Sequence, residues 1–338
     1  MTETYRDIVE RINVAETSGL YTQLRIGPIL MVDAFAARRN SDDLPALLLE
    51  LHADSLRGVD EWPESVGFRV DVEPSESGSK SRVRVYLQLT EERFSDIFYV
   101  LCEDVRAVLE TATDEHAAVV AFHSRLVRWQ AFLKKHEPDG LSPEAQVGLF
   151  GELLVLRDVF LPRIDAFRSV QAWRGCKKAH QDFQFPGRAL EVKTTRAVIP
   201  DRISISNVQQ LDEAGIETLV LTVVHVHAGD AAGVTLPMMV NSIREGLPAS
   251  PGERFNEGLF EVGYLDEHAE LYSKTMYELN GLIHHEVTEG FPRLLRNQVP
   301  DGVKKVRYEI TIDAARPFVI TDERVHEIFE ETDDTIHS

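Results

Sequence analysis

Along this chain, after one short helical segment, the apolar residues recur at intervals of two and then at intervals of three and four. Residues 5 to 19 carry a short amphipathic helical pattern. Strand patterns follow at Tyr21 to Val32, Ala46 to Leu51, Gly67 to Val72 and Arg82 to Leu89, with the polar loop Glu73 to Lys80 as a long hairpin connection. Phe94 to Leu109 then reads as a helix with Phe98, Val105 and Leu109 on one stripe, and His116 to Lys135 as another with Val119, Phe122, Leu126, Trp129 and Phe132 at core spacing. These runs predict an α+β N-terminal domain over residues 1–138, built on a curved antiparallel sheet.

A boundary falls at Lys134 to Gly140, because Ser142-Pro143-Glu144 opens a new helix with an N-cap and a first-turn proline. The second domain is then 139–338. Its first helix, Ser142 to Phe160, is apolar nearly all round, which predicts burial. Inside it Glu152 lies one position from the stripe of Leu149, Leu153, Leu156 and Phe160, with Gly148 one turn earlier allowing close backbone approach. A buried carboxylate needs a partner. The options are a salt bridge to Arg157, a protonated acid, or a place in a site.

Val170 to Trp173 reads as a strand and Arg174 to His180 as a basic loop. Ser206 is the expected cap of a short helix holding Gln209 and Gln210, and the β-branched run Thr218 to Val226 suits a central strand. Beyond Gly229 the pattern predicts a helix at Pro237 to Glu245, a Pro/Gly-rich loop at Leu247 to Glu253 and a strand at Val306 to Ile312. Glu267 to Gly290 has no decisive period, His284-His285-Glu286 reads as surface, and the tail from Thr321 is acidic. Repeats and low-complexity segments are absent.

The stretch His180 to Lys193 alternates apolar and polar residues on both sides of Pro186-Gly187, the pattern of a hairpin. An even loop centred on that dipeptide sets Asp182 opposite Glu191, with Lys193 on the same face and Phe183, Phe185, Leu190 and Val192 on the other. Directly paired strand residues have Cβ atoms about 4.5–5.5 Å apart, so like charges there repel unless a positive group intervenes. Two readings follow: a surface hairpin with a solvated charge cluster, or two carboxylates awaiting a divalent cation.

Composition narrows the context. The chain has 338 residues, 43% of them hydrophobic, and a net charge of −20. It has no apolar run long enough to span a bilayer, and Met1-Thr2-Glu3-Thr4-Tyr5 lacks the features of a signal peptide. Cys102 and Cys176 are distant from each other and without metal-ligand spacing. The expectation is a soluble cytoplasmic protein that avoids membranes. Its charge is uneven, since between Arg168 and Arg196 seven basic residues face only Asp182 and Glu191. Within that stretch Arg174, Lys177 and Lys178 form either a solvated turn or a loop that follows phosphates. His225 and His227, with no third ligand in view, read as ordinary strand histidines.

The order of helix with Glu152, hairpin with Asp182 and Glu191-Val192-Lys193, helix with Gln209-Gln210 and strand 218 to 226 resembles the PD-(D/E)XK nuclease superfamily. More narrowly, Gly151-Glu152-Leu153, His180-x-Asp182-Phe183, Glu191-Val192-Lys193 and Phe291-Pro292-Arg293 resemble an uncharacterised bacterial family of anti-phage defence clusters. One departure is that Gln181 stands where the motif has proline. The resemblance implies an α/β fold, a mixed restriction-endonuclease-like sheet flanked by helices, after the α+β domain. It implies Mg²⁺ or Mn²⁺ held by Asp182, Glu191, the Val192 carbonyl and Glu152, with Lys193 orienting the attacking water and Gln210 steadying it. Arg174, Lys177, Lys178 and Arg196 would contact DNA, and other defence proteins would be partners, with a homodimer left open. A non-catalytic DNA-binding or scaffold subunit is the alternative.

Overall fold

Five strands, two of them with continuous buried runs, build the sheet of the first unit in the computed structural model, which describes residues 3–13, 19–27, 29–75, 81–177, 179–197, 199–229 and 232–330. The chain divides into two compact units, Met1–Asp139 and Gly140–Ser338. In the first, α1 (Tyr5–Glu10) opens on a capping box of Thr4 and Asp7. It is shorter than the 5–19 pattern, of which residues 14–18 lie outside the described residues.

The sheet consists of β1 (Tyr21–Arg25), β2 (Asp33–Arg39), β3 (Pro45–His52), β4 (Phe68–Pro74) and β5 (Arg82–Leu89), all antiparallel in the order β1-β2-β3-β5-β4. The strand expected over Tyr21 to Val32 stops at Arg25, and its partner β2 gave no strand signal. Asp-Ala-Phe-Ala-Ala-Arg-Arg is poor in β-branched residues, and it pairs because Ala34, Ala36 and Ala37 are buried between neighbours. The connection after β4 is a hairpin, although residues 76–80 lie outside the described residues. Helices α2 (Ser95–Glu110) and α3 (Glu115–Leu133) bury the stripes read from their periodicity.

The second unit opens with α4 (Pro143–Val155), capped by the Ser142 hydroxyl and continued by one π-helical turn, Leu156–Phe160. Its six-stranded mixed sheet runs β10 (Val234–Thr235), β11 (Met276–Glu286), β9 (Thr218–Gly229), β7 (Arg188–Thr195), β6 (Phe183–Phe185), with β13 (Val319–Ile320) on β11. β7 and β9 are parallel and the other pairs antiparallel. One apolar layer joins α4, α6 (Leu236–Gly246) and α7 (Ala249–Val262) to Leu190, Val192, Val220 and Val224. The other joins Ala189, Leu219, Leu221 and Val223 to a two-stranded sheet of β8 (Arg202–Ile205) and β12 (Tyr308–Thr311). Apolar cover on both faces explains why β9 reads as a continuous apolar run.

Several expectations need correction. Val170 to Ala172 belongs to helix α5 (Ala166–Ala172), because the Asp165 carboxylate caps it by accepting the Arg168 N–H at 3.1 Å. Only Trp173 is extended there, bridging Phe183. The loop expected at Leu247 to Glu253 mostly forms the first turns of α7: Pro251 sits where an N–H has no helical acceptor, and Phe255 and Leu259 are buried one turn apart. Asn207, not Ser206, caps the short 3₁₀ turn Val208–Leu211. His284 and His285 are interior residues of β11, not surface; burial pushes the His284 imidazole down to about 4 and lowers His285 as well. Among the described residues no helix is long and apolar enough to cross a membrane.

Candidate active site

The site begins where α4 meets β7. A Cβ on Gly151 would overlap the Thr194 hydroxyl, so the helix can lie this close to the strand only with glycine at that position. Gly148, the glycine expected to permit close approach, has nothing within 4 Å of its would-be Cβ. The close packing brings the neighbouring Glu152 to the mouth of the hairpin, where the Trp173 indole N–H donates to its Oε2 at 2.7 Å. That indole is itself held against α7, because a Cβ on Gly258 would sit 2.7 Å from its ring. Arg157 instead forms two hydrogen bonds with Asp158, at 2.6 and 2.8 Å, so the Arg157 partner considered for Glu152 is not the one the fold uses.

The hairpin has the register its alternation implies. Phe183 pairs with Leu190 and Phe185 with Arg188 across a turn in which Gly187 has φ 71°. Asp182 sits one residue before β6, at the level of Glu191, and its Oδ2 accepts the Val192 N–H at 2.8 Å. The Asp182 carbonyl accepts the N–H groups of Arg174 and Gly175 at 2.6 and 3.0 Å. Gly175 closes the space between two carboxylates: a Cβ there would overlap Glu152 Oε2 and lie 3.1 Å from Asp182 Oδ1.

Glu191 is 1% exposed, on the sheet face it shares with Ala189 and with Leu221 and Val223 of β9. Its Oε1 accepts from Lys193 Nζ at 2.6 Å, while Oε2 is buried without a hydrogen-bond partner among the described residues. Burial first, then the Asp182 charge, holds Glu191 well above the usual carboxylate range. Burial and Asp182 push Glu152 up to about 8 against the opposing Trp173 hydrogen bond and Lys193 charge. Burial also raises Asp182, opposed chiefly by the Val192 N–H. Burial thus makes all three carboxylates resist ionisation, and the Asp182 charge adds to it for Glu152 and Glu191.

That is the electrostatic state a divalent cation resolves, and the free oxygen of Glu191 beside Asp182 fits one. The fit is to a pair: among the described residues no group of three or more His, Cys, Asp or Glu side chains is arranged to hold a metal ion, and Glu152 is turned toward Trp173. His225 and His227 stand on β9 opposite Gly281 and Glu278, and among the described residues no third ligand joins them in a metal-holding group.

The remaining candidates are more scattered. Gln210 Oε1 accepts the Ser206 N–H at 2.9 Å, which commits its acceptor to its own turn. That turn is tied to the residue before Asp182, because Gln181 Nε2 donates to the Gln209 carbonyl at 2.9 Å. Arg293 braces it from the other side, donating to the Leu211 carbonyl at 2.8 Å and pairing with Glu213 at 2.7 Å. Arg174 flanks Asp182 through its backbone, the Lys177 side chain and all of Lys178 lie outside the described residues, and Arg196 lies near Tyr277 of β11. Trp173, Gly175 and Gly151 are the site residues that periodicity missed. A glycine inside a helix costs about 1 kcal/mol relative to alanine, so Gly151 beside Glu152 was itself a signal of close packing.

An α/β unit with carboxylates and a lysine converging on a hairpin has the composition of a nuclease-like site. The chain belongs to the family described as "Putative PD-(D/E)XK family member, (DUF4420)", whose model matches residues 5–313. PD-(D/E)XK proteins are mostly nucleases, typically dependent on divalent metals. No curated protein and no solved structure matches the chain.

Proposed function

We propose that this chain is a metal-dependent nuclease that hydrolyses DNA phosphodiester bonds in the cytoplasm as a component of a bacterial anti-phage defence system. The observation that carries the reading is Glu191, an almost fully buried carboxylate with one oxygen on Lys193, the other unpartnered among the described residues, and Asp182 beside it. A scaffold gains nothing from such repulsion, whereas a site that takes up Mg²⁺ or Mn²⁺ needs it. Asp182 and Glu191 would hold the cation, with the Val192 carbonyl and Glu152 completing its surroundings. Bound there, a divalent cation supplies an activated water and neutralises charge on the phosphate.

The chain's own residues supply the rest. Lys193, held 2.6 Å from Glu191, is poised to orient water and offset the negative charge that develops on phosphate oxygens. Gln210, whose Oε1 is held by Ser206, would steady the same water through its amide N–H groups, and Arg174, Lys177, Lys178 and Arg196 would hold the backbone. With a net charge of −20, delivery of DNA by partner defence proteins is part of the proposal.

The test is cleavage of labelled DNA and RNA with Mg²⁺ or Mn²⁺, with and without the neighbouring gene products. Lys193→Ala is expected to stay folded, at a melting temperature lowered by the loss of the Glu191 partner, and to cut at least about a hundredfold more slowly. Full activity in a folded Lys193→Ala protein overturns the mechanism, and no cleavage under any condition favours the scaffold reading.

A further inference from the structure

A feature outside the carboxylate cluster points to how a nucleic-acid strand reaches it. An open groove of about 890 Å³ runs between the 3₁₀ turn Val208–Leu211 and the segment from residue 296 to 307. Arg296, Lys304, Lys305 and Arg307 line it, against one acid, Asp301. In a chain with 56 acidic and 36 basic residues, acid partners are plentiful. Arg202 on β8, for example, pairs with Asp201 at 3.0 Å and with Glu309 of β12 at 3.1 Å. By contrast, none of the four groove cations makes a side-chain hydrogen bond or ion pair among the described residues. Cations strung along a groove repel one another, and a strand of phosphates relieves that repulsion along its length where a single small anion cannot.

The groove also leads somewhere. Gln209 and Arg296 line a second cavity of about 510 Å³ as well, and its other walls include His180, Gln181, Gln184 and Ala189. Those residues flank Asp182, and Ala189 shares its strand face with Glu191 and Lys193. The two cavities thus share Gln209 and Arg296 as wall residues, and the second lies along the hairpin that carries Asp182 and Glu191.

We propose that this groove is the track that holds the sugar–phosphate backbone of a DNA strand and leads it to Asp182 and Glu191. The proposal rests on the nuclease reading for the identity of the strand, but its test needs no turnover. Fluorescence anisotropy with fluorescein-labelled mixed-sequence DNA in EDTA, across a salt series, compares the full chain with Arg296→Ala/Lys304→Ala/Lys305→Ala/Arg307→Ala. The variant is expected to bind at least about tenfold more weakly near 0.1 M salt. Its plot of log affinity against log salt should be shallower by about 3, four contacts at roughly 0.7–0.9 each.

Lys304→Arg/Lys305→Arg should bind like the unaltered chain. If the quadruple variant melts early, Lys304→Glu/Lys305→Glu gives the same readout at fewer positions. Wild-type affinity and slope in the folded quadruple variant, or no DNA binding by the unaltered chain, overturns the track. Cleavage by the unaltered chain together with that first result leaves the nuclease standing and removes the groove. Lost binding in the variant without cleavage by the unaltered chain does the reverse.

Discussion

Trp173 and Gly175 decide where the Glu152 carboxylate can sit, the indole by holding Oε2 at 2.7 Å and the glycine by leaving room for it. Gly175 is not in the left-handed region, so alanine there brings no backbone penalty and meets mainly the far ends of two acidic side chains. Gly175→Ala is therefore expected to displace Glu152, cutting nuclease activity at least about tenfold while stability moves by no more than about 1 kcal/mol. Parallel cleavage and melting measurements check this, and equal losses in both would place Gly175 in folding alone. Asp182, Glu191 and Lys193 were legible from sequence because a period of two fixes which strand residues share a face, whatever surrounds them. Trp173 and Gly175 were not, since their roles exist only once α5 and α7 have packed beside the hairpin. Close approach occurs at Gly151 and not at the expected Gly148 for a related reason: a helix apolar nearly all round does not reveal which side meets the strand.

Packing of α4 on β7 is the element-level contact that sets the site, and it rests on Gly151 facing a Thr194 hydroxyl that is buried without a partner among the described residues. Gly151→Ala overpacks that contact, at a typical cost of about 1–3 kcal/mol. Thr194→Ala alone removes an unsatisfied hydroxyl and should be close to neutral. Combined, the two should recover at least about 1 kcal/mol relative to their sum, read as a coupling energy from denaturant melts. Additive effects would mean the helix is held off the strand by something else. The elements that sequence revealed, α3, α4 and β9, carry their signal in their own residues as apolar spacing or a β-branched run. Those it missed are stabilised from outside or by one cap: β2 by burial of alanines, α5 by Asp165, and α7 by burial of Phe255 and Leu259 behind a start that its prolines disguise as a loop.

Over the whole molecule the decisive quantity is charge, and its signs can be worked out. Without metal, folded Glu152 holds its proton up to about pH 8 while the unfolded chain releases it near 4.5, so the native state binds more protons between those values and stability falls as pH rises. His284 works the other way, since its folded value of about 4 lies below the ordinary 6.5 and stability rises with pH between them. From about pH 6.5 to 8 only the carboxylate effect remains of the two, and the metal-free protein is expected to lose stability across that window. Glu152→Gln should flatten the loss. A cation bound by Asp182 and Glu191 in the native state alone reverses the penalty, adding about 2.7 kcal/mol at a concentration one hundred times Kd. Asp182→Asn relieves the repulsion without restoring the ligand. It should therefore melt at or above the metal-free wild type near pH 8, yet gain nothing from Mg²⁺ or Mn²⁺ that raises the wild-type melting temperature. If metal shifts neither protein, or shifts both equally, Asp182 is not a ligand, and the repulsion around Glu191 must be relieved by something other than a cation.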